Sequence, residues 1–243
     1  RYQLGAMAVE VKADHCIHKG RLAGSVLTLD QAVRNAMTLC GSSLPAAVAM
    51  ATRNPAALLG LTHKGRLEVG ADADIVVLSP AGEVTNASLA FDPDGRLVAT
   101  TDKVNLIPGI EDGAKGGLGL FRADADALPI IDTPFGRLCT LICYDGFRRA
   151  HTELERFVPV APRIAERGGV TVVANPAANP WPWRERWPFD DRVRVDQWEA
   201  DGLPGTLRET PFARFCVTAH LVGSVLDLRF DGTSEVLGGD GKP

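Results

Sequence analysis

The sequence predicts an α/β protein in two dissimilar parts, and three observations carry that expectation. Apolar residues recur with a helical period between residues 30 and 60. Short β-prone runs separated by turn residues fill the chain after residue 86, and a helical stretch lies between two of those runs. The 243 residues suffice for one large domain or two small ones, and an apolar content of 45% with 23% charged residues is that of an ordinary globular chain. The change in texture puts the boundary at 85/86: a small helical plus β segment over 1–85, then a larger α/β domain over 86–243.

In chain order, Ala32, Val33, Ala36, Met37 and Leu39 mark the apolar face of a helix, with Asp30 as its expected N-cap and Gly41 as its stop. A second helix is expected from Leu44 to Ala51 and a third, short one near Pro55, a residue suited to a first turn. "KGRLEVGADADIVVLSP" (64–80) then changes period and reads as a small β unit turning at Gly70, with an apolar strand over Ile75–Leu78. "NASLAFDPDGRLVATTDK" (86–103) is a hairpin around Asp92-Pro93-Asp94-Gly95. After a Gly-rich loop at 113–119 come the hairpin "LPIIDTPFGRLCTLICYD", a helix over about 152–167, the strand "GVTVVANPA", a Trp/Pro-rich loop over 176–190, and strands in "ARFCVTAHLVGSV" and "SEVLGGDG".

Several function classes are disfavoured. A net charge of −4 and a pI near 5.8 argue against nucleic acid, which selects a basic face. No apolar run approaches the ~18 residues of a membrane span, so no membrane partner is expected. "RYQLGAMAVEVKADH" lacks the regions of a signal peptide and an initiator Met, and so reads as the middle of a longer protein. Five scattered cysteines at 16, 40, 139, 143 and 216 form no disulfide framework, which favours a reducing, cytoplasmic setting. Cys139 and Cys143, on one face if the run is a strand, are a weak zinc signal, and Cys139 reads as packing. His15 and His18 are spaced like a metal pair but have no third ligand at ligand spacing. "GAKGGLG" is not a dinucleotide fingerprint and "GDGKP" is not a phosphate loop. No metal and no cofactor is expected.

Two resemblances follow from quoted words. "GRLAGSVLTLDQAVRN" (20–35), "ATRNPAALLGL" (51–61) and "KGRLEVGADADIVVLS" (64–79) make residues 1–80 resemble the C-terminal end of N-acetylglucosamine-6-phosphate deacetylases, of the amidohydrolase superfamily. That family has a metal-bearing (β/α)₈ barrel with a small β-sandwich. The resemblance implies that its metal ligands and catalytic Asp lie upstream of the matching part, leaving this half without catalytic residues. Over about 86–241 the chain resembles the carbon–nitrogen hydrolase (nitrilase) superfamily, through "TDKVNLIPGIE" (101–111) and "LICYD" (141–145) and, loosely, Arg208-Glu209 and "FDGTSEVLGGDG" (230–241). This implies a truncated α-β-β-α sandwich and a Glu–Lys–Cys site acting on a small-molecule amide or nitrile, with a homo-oligomer as a possible assembly.

The resemblance makes Cys143 the nucleophile, Lys103 the cation that stabilises the oxyanion, and Glu111 an accessory acid at the pocket rim. Tyr144 and Asp145, which follow the cysteine, are the substrate-binding candidates. The chemistry suits these residue types, since a thiolate is a competent nucleophile and a fixed ammonium stabilises a developing oxyanion. The plain alternatives are a core cysteine, a solvated lysine and an exposed loop acid, and His220 reads as a polar strand end. The family's general-base Glu lies upstream of its Lys. Before Lys103 this chain has only Glu10, Glu68 and Glu83, none in a matching word. The resemblance therefore implies impaired chemistry, with Lys103 and Cys143 ending neighbouring strands and no Glu of the first half near them. The competing readings are a fragment of a metal-dependent sugar deacetylase and a non-catalytic fusion or assembly remnant.

Overall fold

The computed structural model describes the chain except residues 1, 5–6, 13–14, 73, 114–116, 154, 190 and 226–227, so the centre of the Gly-rich loop lies outside the described residues. It divides into two units, Arg1–Val84 and Thr85–Pro243.

The first unit opens with a four-stranded antiparallel sheet: β1 (Tyr2–Leu4), β2 (Met7–Val11), β3 (His15–His18) and β4 (Arg21–Ser25), in that order. The β structure of this unit is therefore here and not at 64–80. The described residues of 64–80 form turns and irregular chain instead, with a single bridge between Leu78 and Val84. Ile75 and Val76 stay largely exposed, and without a ladder partner β-propensity alone does not make a strand. Helix α1 (Leu29–Cys40) is capped by Thr28, two residues before the expected cap. Asp30 lies inside the first turn, where it favours the positive helix end and bonds Arg34 at 2.7 Å. Gly41, at φ +67°, ends the helix in the left-handed region. Helix α2 (Leu44–Ala51) starts as expected, with the Ser43 hydroxyl accepting the Ala46 N–H and Pro45 in the first turn. Helix α3 (Arg53–Leu58) starts two residues before Pro55.

The second unit is built on a five-stranded mixed sheet. The hairpin β5 (Ala87–Phe91) and β6 (Leu97–Asp102) forms its own ladder, its turn fixed by Asp92 Oδ1 accepting the N–H groups of Asp94 and Arg96. The main sheet contains β7 (Ile130–Thr133), β8 (Gly136–Thr140), β9 (Val170–Ala177), β10 (Ala213–His220) and β13 (Glu235–Gly238), in the order β13-β10-β9-β8-β7. Strands β8, β9 and β10 are parallel, and the outer two run antiparallel to their neighbours. Strands β11 (Val222–Val225) and β12 (Leu228–Asp231) form a separate hairpin, of which β12 was not expected.

The helix expected over 152–167 is only α4 (Ala161–Glu166). Pro159 and Pro162 have no N–H to donate, so a helix can begin around them but not run through them. The Trp/Pro-rich loop leads into two unforeseen helices, α5 (Arg194–Asp201) and α6 (Leu203–Glu209). Their junction needs Gly205, where a Cβ would stand 1.9 Å from the Ala200 carbonyl oxygen. The core joins the sheet to these helices through Leu141, Val160, Ile164, Val173, Leu203, Leu207, Phe212 and Leu237. It also takes in Val104, just beyond β6. The parallel strands thus present their C-terminal ends together, the place where open α/β sheets form a crevice.

Candidate active site

Strand β8 stops at Thr140, so Cys139 and Cys143 do not share a strand face. Leu141 keeps the ladder going by donating to the Ala174 carbonyl at 3.0 Å, and Cys143–Gly146 then turns as a short 3₁₀ helix. Cys143 has φ +50°, and Lys19 is the other described non-glycine residue with positive φ. A left-handed side-chain-bearing residue costs ~1–2 kcal/mol, and strain of this kind concentrates at functional sites. The turn is held from outside. Asn175 Nδ2 donates to the Leu141 carbonyl at 2.6 Å and to the Cys143 carbonyl at 3.4 Å, and Thr206 Oγ1 donates to the Gly146 carbonyl at 2.8 Å.

Lys103 sits just past β6 and is 2% exposed, so it is neither a solvated edge charge nor the end of a strand neighbouring β8. Its Nζ donates to Glu111 Oε2 at 2.6 Å. Burial alone would push the Lys103 ammonium down, but the Cys143 sulfur, Glu111 and Asp145 together hold its pKa above the usual lysine range. Glu111 is not a rim residue. It is buried, with Oε2 also accepting the Ile107 N–H at 2.8 Å and Oε1 accepting Asn86 Nδ2 at 2.8 Å.

Tyr144 and Asp145, expected to touch substrate, do not line the cavity beside Cys143. Both are buried and work on the scaffold. Asp145 Oδ1 and Oδ2 accept the N–H groups of Asn105 and Val104 at 2.6 and 3.2 Å, tying the segment after Lys103 to the cysteine turn. Burial pushes the Asp145 carboxyl up to about 6 against those donors and Lys103, which favour its charged form. Burial likewise raises the Tyr144 hydroxyl, which donates to Glu155 Oε2 at 2.5 Å and accepts the His151 N–H at 2.7 Å.

Lys103, Glu111 and Cys143 line one cavity of about 700 Å³ with His151, Trp181, Trp187, Arg194 and His220. Sequence reading did not find Arg194 or Asn175. Arg194 is buried, bonds Asn179 Oδ1 at 3.0 Å and lies 3.8 Å over the Trp187 ring. Only the crowding of tryptophans and arginines over 181–194 hints at it. His220 ends β10 as expected, packed against Trp183 and Trp198, and burial, aided by Arg194, brings its pKa down to about 4. Glu111 is the only carboxylate among the described lining residues. Burial pushes the Cys139 and Cys216 thiols up to about 12, as expected of packing cysteines. His18 Nδ1 lies 2.7 Å from the Ala8 carbonyl oxygen, and no cluster of three metal-ligating side chains occurs among the described residues.

The arrangement can place a thiol against a buried ammonium in a mostly apolar cavity. The model of the amidohydrolase family matches residues 9–114, running past the boundary between the units. N-acetylglucosamine-6-phosphate deacetylases from Lysinibacillus sphaericus and Danio rerio are 44% identical over 78 residues and 41% identical over 81, each match covering 32% of this chain and 20% of the relative. A protein named as a hydrolase in Schizosaccharomyces pombe is 32% identical over 101 residues, 40% of this chain and 27% of its own. Among solved structures, an amidase from Nesterenkonia sp. shares 22% identity at a TM-score of 0.49, covering 69% of this chain and 53% of that one. A carbon-nitrogen hydrolase from Helicobacter pylori shares 19% at 0.49, covering 66% and 52%. The chain therefore spans one fifth of the deacetylases it matches and about half of these solved chains.

Proposed function

We propose that the second unit is a thiol hydrolase of non-peptide amide or nitrile carbon–nitrogen bonds. The observation that carries this reading is the burial of a charged Lys103 beside Cys143, which sits on a strained turn in a cavity. On an amide, the Cys143 sulfur attacks the carbonyl carbon while the C=O π pair moves to oxygen, where the Lys103 ammonium donates a hydrogen bond. Collapse re-forms the carbonyl, and the nitrogen leaves with the C–N pair and the proton that the thiol gave up, carried to it through water. Water then hydrolyses the thioester to a carboxylic acid and the free thiol. Glu111 holds Lys103 in place, and its carboxylate accepts from Lys103, Asn86 and Ile107.

A carboxylate used in this way is a poor general base, so turnover is slow, by ~10²–10⁴-fold relative to a site with a free one. Mild alkylation with peptide mapping tests the reading. Cys143 should label ahead of Cys16 and Cys40, and Lys103→Met should slow amide turnover by ~10²–10³-fold. Preferential labelling of Cys16 or Cys40 would overturn it in favour of a non-catalytic remnant. Replacing Glu10, Glu68 and Glu83 together by Gln should leave turnover unchanged, and a fall would mean that the first unit supplies the base.

A second reading rests on the 41–44% identity of one segment to sugar deacetylases: the chain as part of a metal-dependent deacetylase. Elemental analysis separates the two. Stoichiometric zinc or iron, with activity lost to a chelator, would favour the second.

A further inference from the structure

We propose that the cavity selects amides whose acyl group is aromatic, of phenyl size or larger, held against a wall formed by Trp181 and Trp187. This rests on the thiol-hydrolase reading and deepens it. A volume of about 700 Å³ lies within the ~300–1,000 Å³ of sites that enclose ligands of tens of atoms. An acetamide-sized substrate would leave most of it to water.

The lining is built for apolar contact. Ile107, Ile110, Leu221 and Phe230 contribute to it along with the two tryptophans. The indole N–H of Trp181 is already given to the Arg186 carbonyl at 3.1 Å, so its ring offers mainly a π surface. The Trp187 backbone N–H is bound to the Arg192 carbonyl at 2.8 Å. Its ring is fixed by the Arg194 guanidinium at 3.8 Å, by His151 edge-on at 5.0 Å and by Trp181 at 5.8 Å. A wall ordered before binding loses little freedom when a flat group packs on it. On the polar side, the Lys103–Glu111 pair is satisfied internally except where Lys103 faces the cysteine. The substrate therefore needs one polar carbonyl on that side, and the rest of it meets a lining in which Ile107, Ile110, Trp181 and Trp187 stand beside His151, Arg194 and His220.

Protection of Cys143 from chloroacetamide tests this without requiring turnover. In the labelling step the sulfur attacks the methylene carbon, the C–S bond forms as the C–Cl bond breaks, chloride leaves with the bonding pair, and the thiol proton goes to solvent. Phenylacetamide should protect at concentrations at least ~10-fold below acetamide, since a single methylene in an apolar pocket is already worth ~10-fold or more. Each variant is scored against its own unprotected rate. The gap should collapse in Trp187→Ala and persist in Trp187→Phe, and Trp181→Ala carries the same expectation if Trp187→Ala does not fold. Equal protection by the two amides, or a gap retained in a folded alanine variant, overturns the selectivity alone. If chloroacetamide does not label Cys143 ahead of Cys16 and Cys40, the hydrolase reading falls and takes this inference with it.

Discussion

The two units contain similar kinds of elements and bury them very differently. In the second unit a continuous cluster from Val104 to Leu237 includes side chains with almost no exposure, Leu141, Val160 and Val173 among them. In the first, the buried apolar residues among those described are Val9, Val33, Ala47 and Ala56, while Leu39, Leu58, Leu59, Leu67 and Val69 remain exposed. What orders the first unit is local: α1 closed by Gly41, α2 capped by Ser43, and Lys64 bonded to Asp72 at 2.9 Å and to Asp74. Secondary structure needs only pattern and caps, whereas a functional site needs a core that holds distant segments at fixed distances.

Changes in the two units should therefore have unequal effects. The largest is expected at Glu111→Gln, which leaves the buried Lys103 cation without its counter-charge and should cost about 3–5 kcal/mol in urea unfolding. A loss under about 1 kcal/mol would mean that water reaches the pair. Next, Leu141→Ala empties a fully buried position and should cost about 2–5 kcal/mol.

A smaller effect is expected in acid. Folded His220 takes up a proton only near pH 4, whereas an unfolded histidine does so near ~6.5. Its contribution to stability is intact above pH 6.5 and is lost as the pH falls towards 4. Asp145 works the other way. Its folded pKa of about 6 lies above the unfolded ~3.9, so acidification across that range favours the fold. His220→Phe should leave the Asp145 trend and remove the acid loss, read as urea midpoints between pH 4 and 7. An unchanged profile would refute the neutral, buried histidine. The smallest effect is expected at Leu58→Ala, 87% exposed, within about 0.5 kcal/mol of the parent. A loss comparable to that of Leu141→Ala would erase the contrast between the units.

Where structure follows from local chemistry, the sequence is legible. The turn at Asp92–Gly95, the Gly41 stop and the span of α2 all appear where pattern places them. The 64–80 segment misled because an apolar run shows propensity without showing whether a partner strand exists. The helix expected over 152–167 shrinks to Ala161–Glu166, because Pro159 and Pro162 fit a helix start but not its interior. At the site, the words around Lys103 and Cys143 brought both residues to one cavity. The same words could not show that Glu111 bonds Lys103 directly, that Asp145 faces the backbone of Val104 and Asn105, or that Asn175 steadies the cysteine turn. Those relations join residues 8 to 41 positions apart, and no local pattern encodes them.

The Asp145 clamp also has a kinetic meaning. Its two bonds close stretches of 41 and 40 residues, and Asn105 and Val158 exchange bonds across an overlapping stretch of 53. Contacts this far apart bring their reward only after loop-closure entropy has been overcome, and they form slowly compared with a hairpin or a helix. During refolding from urea, the hairpin and the short helices would regain their circular dichroism first. The reactivity proposed for the Cys143 thiol would return only with the final phase, making it a clock for the last contacts of the fold.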